Sequence, residues 1–127
     1  MLSQVPGKCL NNHNGSAANG NKVEIWTCNG ASAQKWVVQP DGTVRTAGKC
    51  LDVYRGRTAN GTKVDLSACN GTAAQQWKIL AVGLVAKLVN PKSGKCVTDP
   101  ANATANGTGL VLGACSATGP GTGWLIR

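Results

Sequence analysis

Gly48-Lys49-Cys50-Leu51-Asp52-Val53-Tyr54 opens a stretch that runs through Asn60-Gly61-Thr62 to Lys63-Val64-Asp65-Leu66-Ser67-Ala68-Cys69-Asn70-Gly71. It closes on Gln75-Gln76-Trp77. The chain contains two more copies. Upstream, Gly7-Lys8-Cys9-Leu10 leads through Asn19-Gly20 to Lys22-Val23-Glu24-Ile25-Trp26-Thr27-Cys28-Asn29-Gly30 and then Gln34-Lys35-Trp36. Downstream, Gly94-Lys95-Cys96-Val97 leads through Asn106-Gly107-Thr108 to Leu110-Val111-Leu112-Gly113-Ala114-Cys115 and a weaker ending, Thr122-Gly123-Trp124. In every copy the two cysteines are 19 residues apart. A fixed internal period of this kind decides the architecture before any local reading does.

At 127 residues the chain is expected to be a single domain, with repeats at about 5–42, 43–83 and 84–127. The hydrophobic fraction is 42%, yet phenylalanine is absent and tyrosine occurs once. The core must therefore lean on Val, Leu, Ile and the four tryptophans. No apolar run approaches the roughly 20 residues of a membrane helix. No secretory leader is visible: either one has been removed or the chain is a segment of a longer protein.

Six cysteines serve either disulfides or metal. A zinc site wants close Cys-x-x-Cys pairs, and none occurs. Six cysteines allow about 15 pairings. The repeat symmetry selects the pairing within copies: Cys9–Cys28, Cys50–Cys69 and Cys96–Cys115. Each such closure contributes about 3 kcal/mol in the chain-entropy model, and stable disulfides imply a secreted, extracellular protein. No cofactor is expected.

Apolar residues alternate instead of recurring every 3.6 positions. Val23 and Ile25 alternate with Glu24 and Trp26, Val64 and Leu66 with Asp65 and Ser67, and Leu110 and Leu112 with Val111 and Gly113. Period 2 describes strands with one buried face, and the Asn-Gly pairs ahead of them are turn signals. Leu10, Leu51 and Val97 fit a second strand in each copy. Val37-Val38, Ile79-Leu80, Thr43-Val44-Arg45 and Leu84-Val85-Ala86-Lys87-Leu88 supply others. That makes about four short strands per repeat and about twelve in all. One copy cannot bury its own apolar face, whereas three around an axis share a core and remove most sheet edges. The fold class is all-β, a barrel with pseudo-threefold symmetry.

The Gln-x-Trp repeat, the Cys-Leu-Asp-Val start and the Cys-Asn-Gly after the second cysteine together resemble the ricin B-type lectins, equivalently the family 13 carbohydrate-binding modules. The resemblance runs from about Val5 to Trp124. It implies a β-trefoil and one shallow sugar site per repeat. Each site would have an acidic residue two positions after the first cysteine, an aromatic platform two before the second, and polar groups following. The Gln of Gln-x-Trp would help hold the acid. Hydroxyl pairs of a pyranose donate to a carboxylate in charge-assisted bonds about twice as strong as neutral ones. Its C–H face covers an aromatic ring; burying roughly 70 Å² yields about 2 kcal/mol. One site reaches about millimolar affinity, near −4 kcal/mol, and several sites gain by avidity on a polymer.

Every repeat departs from that pattern. In the first, Trp26 holds the platform position, but the acidic position is Asn11; His13, Asn29 and Gln34 are the other polar candidates, with His13 expected as an exposed loop residue. In the second, Asp52, Asn70 and Gln75 match, but the platform position is Ser67, and Tyr54 is the aromatic that could replace it. In the third, Thr98, Gly113 and Thr122 stand at the three positions, and Asp99 is out of register, so that site is expected to be dead. Trp36, Trp77 and Trp124 recur once per repeat and read as core.

The net charge of +8 invites a nucleic-acid reading. However, the basic residues are scattered, only Arg55 and Arg57 approach a cluster, and no nucleic-acid motif accompanies them. A solvated basic surface is the reading adopted, with neither nucleic acid nor membrane as partner. Glycoside hydrolysis needs two carboxylates across one bond, and the five acidic residues show no such pair in sequence. One histidine and no free cysteine leave no nucleophile and base pair. The reading is therefore a monomeric, non-catalytic binder of mono-, oligo- or polysaccharide, with galactose- or xylose-type sugars expected. It would target a catalytic domain of the same parent chain, a glycoside hydrolase or a toxin. The alternative is a protein-interaction trefoil that has lost sugar binding.

Overall fold

The computed structural model describes residues 1–126. Among these residues twelve strands form, four to a unit. The first unit has β1 (Leu2–Ser3), β2 (Lys8–Asn12), β3 (Asn21–Thr27) and β4 (Val37–Val38). The second has β5 (Val44–Thr46), β6 (Lys49–Val53), β7 (Val64–Ser67) and β8 (Lys78–Val82). The third has β9 (Val85–Asn90), β10 (Lys95–Thr98), β11 (Val111–Gly113) and β12 (Trp124–Leu125). All helical turns among the described residues are short 3-10 turns.

The hairpins β2–β3, β6–β7 and β10–β11 pair antiparallel with the same register: Leu10 faces Ile25, Leu51 faces Leu66, and Val97 faces Leu112. Parity then puts Val23, Val64 and Leu110 on the same inner face, and all nine side chains are buried. The units join through β4–β5 and β8–β9. The ends join through β1–β12, where Leu2 pairs with Leu125. β1 lies ahead of the first repeat as read from the sequence and does for it what β5 and β9 do for the others. β3 pairs with β7, and single bridges link Glu24 of β3 to Gly109, just ahead of β11, and Lys63, just ahead of β7, to Val111 of β11. The curled antiparallel sheet thereby closes on itself as a β-trefoil.

Beneath the barrel, each indole N–H of the Gln-x-Trp positions donates to a strand carbonyl. Trp36 bonds Leu10 O at 3.0 Å, Trp77 bonds Leu51 O at 3.0 Å, and Trp124 bonds Val97 O at 3.2 Å. A buried indole satisfied in this way adds packing area without stranding a donor. The disulfides are Cys9–Cys28, Cys50–Cys69 and Cys96–Cys115. Each Asn-Gly turn places its glycine at positive φ: Gly20 at 79°, Gly61 at 86° and Gly107 at 88°. Two of the turn asparagines also reach across units, Asn19 Oδ1 accepting from Ala68 N and Asn106 Oδ1 from Thr27 N, both at 2.8 Å.

Candidate functional site

Outward-pointing residues of each strand pair, a 3-10 turn after the first strand, and the loop after the second cysteine enclose one outer hollow in each of the first two units. The first has a volume of 390 Å³ and is lined by Asn11, Asn14, Gly15, Glu24, Trp26 and Asn29 among others. Trp26 lies on the outward parity of β3 and is 37% exposed. Its ring passes beside Gly107 of the third unit, where an added Cβ would sit 3.8 Å from it. Two residues earlier on the same face, Glu24 is 1% exposed. Asn11, directly opposite in register, donates Nδ2 to Glu24 Oε2 at 2.8 Å. His13 Nδ1 stands 3.0 Å from both carboxylate oxygens, and Lys22 Nζ is 3.8 Å from Oε1.

A carboxylate does stand in the first hollow, on the facing strand: Glu24 lies directly opposite Asn11. His13 has the exposed side chain expected of it, at 42%, and its ring is also tied to Glu24. Strand parity was the signal that could have found Glu24, since it puts Glu24 on the face of Trp26.

The second hollow, of 340 Å³, is lined by Asp52, Arg55, Gly56, Asn70, Thr72 and Lys92 among others. Asp52 faces Asp65 across β6–β7. Burial pushes both carboxyls up, Asp65 to about 7, with the hydrogen bond and charge of Asp52 adding to the rise in Asp65. Two acids thus converge across the strand pair, and the charge of Asp52 makes Asp65 costlier to ionise. Glycosidase carboxyls stand about 5–9.5 Å apart on either side of a bond, whereas these two lie side by side on one face of paired strands. Tyr54 does not line the hollow. Its ring lies under three cations, with Arg55 Cζ 5.2 Å, Arg57 Cζ 5.5 Å and Lys63 Nζ 4.3 Å from its centroid.

Gln34 and Gln75 are buried beneath the hollows and line neither. Gln34 accepts from Asn29 N at 2.9 Å and donates to Thr27 O at 3.0 Å. Gln75 accepts from Asn70 N at 2.9 Å and donates to Ala68 O at 2.9 Å. The glutamine's main task is to hold the loop that presents Asn29 or Asn70. The Gln75 amide also draws the Asp52 pKa down against its burial.

In the third unit, Thr98 faces Val111, so no acid stands on that floor. The turn residue that is Gly15 in the first unit and Gly56 in the second is here Asn102. Its Oδ1 accepts from Gly121 N at 2.8 Å, and its side chain crowds the ground above Gly119 and Gly121. Asp99 is 1% exposed with no hydrogen-bond partner for either oxygen. Burial lifts its pKa to about 6.

The ricin-type beta-trefoil lectin domain family matches residues 1–124. Among solved structures, a designed threefold-symmetric protein, ThreeFoil, is similar with a TM-score of 0.88 and 27% identity, over 98% of this chain and 93% of that one. The exo-beta-1,3-galactanase of Clostridium thermocellum is similar with a TM-score of 0.88 and 26% identity, over 98% of this chain and 28% of that one. The agglutinin of Abrus precatorius is similar with a TM-score of 0.73 and 30% identity, over 84% of this chain and 40% of that one. The chain thus spans less than half the length of these two natural proteins. No curated protein matches it.

Proposed function

This chain belongs to the ricin-type β-trefoil lectin domain family, and on that premise we propose that it is a non-catalytic module that holds saccharide in its first and second hollows. The observation that carries this reading is the first hollow. An exposed indole, Trp26, stands at its mouth, and a buried acceptor, Glu24, already oriented by Asn11 and His13, lies at its floor. A pyranose needs that combination: an aromatic face for its C–H surface and a fixed anionic acceptor for adjacent hydroxyls. The second hollow offers Asp52 and Asn70 without an aromatic wall. Galactose- and xylose-type sugars are the first ligands to test; the galactanase in which a domain of this kind makes up 28% of the chain supports a β-galactan. In the same reading the chain is a family 13 type carbohydrate-binding module, extracellular and monomeric. It would tether a catalytic domain to polysaccharide, and the two hollows would add by avidity.

The test is fluorescence titration with galactan and xylan fragments. Trp36, Trp77 and Trp124 are buried, so a sugar-dependent change belongs to Trp26. We expect saturable quenching with millimolar midpoints for short fragments, abolished in Trp26→Ala while thermal unfolding is unchanged. A response that survives Trp26→Ala would contradict the platform role. The second reading, a protein-contact trefoil, is favoured by the β8–β9 hairpin, where Leu80, Val82 and Leu84 are 51%, 49% and 98% exposed. Silence toward every glycan with retained capture of a protein partner through that hairpin would favour it.

A further inference from the structure

We infer that the second hollow is built for an acidic sugar, its anionic group held between Arg55 and Lys92, while the first takes neutral sugar. This rests on the carbohydrate reading above and adds the charge class of the ligand.

The 3-10 turn after the second strand of each unit (β2, β6 and β10) has the same backbone, with its central residue at positive φ: Asn14 at 55°, Arg55 at 52° and Ala101 at 56°. The turn brings Asn14 to the wall of the first hollow and Arg55 to the wall of the second. One position thus supplies a neutral amide in one site and a guanidinium in the other. Lys92 adds a second cation from the adjoining unit. Its Nζ donates to Gly56 O at 3.0 Å, directly over the glycine that keeps the hollow open. Lys63 and Arg57 stand behind, around the Tyr54 ring. The sequence scatters these four cations from position 55 to 92; the fold brings Arg55 and Lys92 to the lining of one hollow and gathers Arg55, Arg57 and Lys63 around Tyr54 beside it. Among the described residues, none of the four forms a salt bridge with a carboxylate, whereas Lys22 and His13 at the first hollow both lie against Glu24. The one acid lining the second hollow, Asp52, stands opposite Asp65 across β6–β7 and forms no salt bridge with Arg55 or Lys92. A guanidinium fork matches a planar carboxylate, and an ammonium answers as a point charge.

The experiment is an NMR titration of the intact chain, reading the amides of Asn70 and Thr72 for the second hollow and of Asn29 and Ala31 for the first. The probes are trigalacturonate, its uncharged methyl ester, and a sulfated galactose oligomer. We expect at least one of the two acidic probes to bind the second hollow about three- to tenfold more tightly than the ester at low salt, with the advantage fading as salt rises. Which of them gains identifies a uronate or a sulfate. Arg55→Asn, which reproduces Asn14 and tolerates the left-handed backbone, should erase the advantage while neutral-sugar binding at the first hollow and thermal stability persist. Equal affinity of the second hollow for acid and ester overturns the inference and leaves the carbohydrate reading standing. An oligonucleotide that displaces the acidic sugars from Asn70 and Thr72 with higher affinity also overturns it. Failure of every sugar, neutral ones at the first hollow included, removes the carbohydrate reading and this inference with it.

Discussion

Asp99 is the residue whose burial has no visible compensation. It stands where the first unit has Asn12 and the second has Val53, both buried. Asn12 earns its place by hydrogen bonds to Ser16 O and from Asn21, and Val53 by packing. Asp99 has neither, so burial favours its neutral form and raises its pKa from 3.8 to about 6. A carboxyl whose folded pKa is raised contributes stability that is full below about 3.8 and is lost as pH rises through about 6. Asp65, raised to about 7, acts in the same direction over a window extending further up. The chain should therefore lose stability between pH 4 and pH 7. Asp99→Asn should be more stable than the parent by about 1–2 kcal/mol at pH 7.5 and no better at pH 4. Thermal unfolding across that range measures it, and a constant offset at all pH values would show that desolvation of the charge is not the cause. In the sequence Asp99 stands out only as a residue out of register. Its burial follows from continuing the inward parity of Val97 one step past the end of β10, which a motif reading looking for a sugar ligand passed over. Glu24 was missed for a related reason: its parity was legible, but the turn that carries His13 and Asn14 over it was not.

At the level of elements, period-2 alternation located the hairpins, and the Asn-Gly pairs located their turns, because both signals are local. The cations at the second hollow and the filling of the third were not legible, since they depend on which loops meet across units. Arg55 and Lys92 line one hollow only because the β9–β10 turn of one unit reaches the 3-10 turn of another, Lys92 bonding Gly56 O. Asn102 closes the third hollow only because Gly119 and Gly121 come beneath it. Gln75 shows an element whose role shifted on inspection of its bonds. Expected as the partner of Asp52, it also clamps the loop from Ala68 to Asn70 by two hydrogen bonds. Gln75→Ala should cost about 1–2 kcal/mol, because the buried amide is removed and two loop backbone groups lose their partners. The same variant should weaken saccharide binding at the second hollow and leave the first unchanged. Denaturant unfolding and a sugar titration read the two effects separately, and undiminished binding at the second hollow would mean that the loop holds its shape unaided.

On the scale of the whole molecule, triplication sets what each unit is free to vary. The inner residues, the indole to carbonyl bonds and the disulfides repeat in all three units, and together they hold the barrel. The outer hollows carry none of that work, so one can present Trp26 over Glu24, another Arg55 and Lys92 beside Asp52, and the third can be filled. That division is why the fold and family were legible from a period and a motif while ligand preference was not. The most direct test of the carbohydrate reading is the ¹⁵N NMR spectrum of the intact chain during addition of galactan and xylan fragments. The account predicts saturable shifts of the Trp26 indole N–H and of the Asn11 and Asn29 amides, with the indoles of Trp36, Trp77 and Trp124 unmoved. An unshifted Trp26 indole at saturating concentrations of every fragment would contradict it.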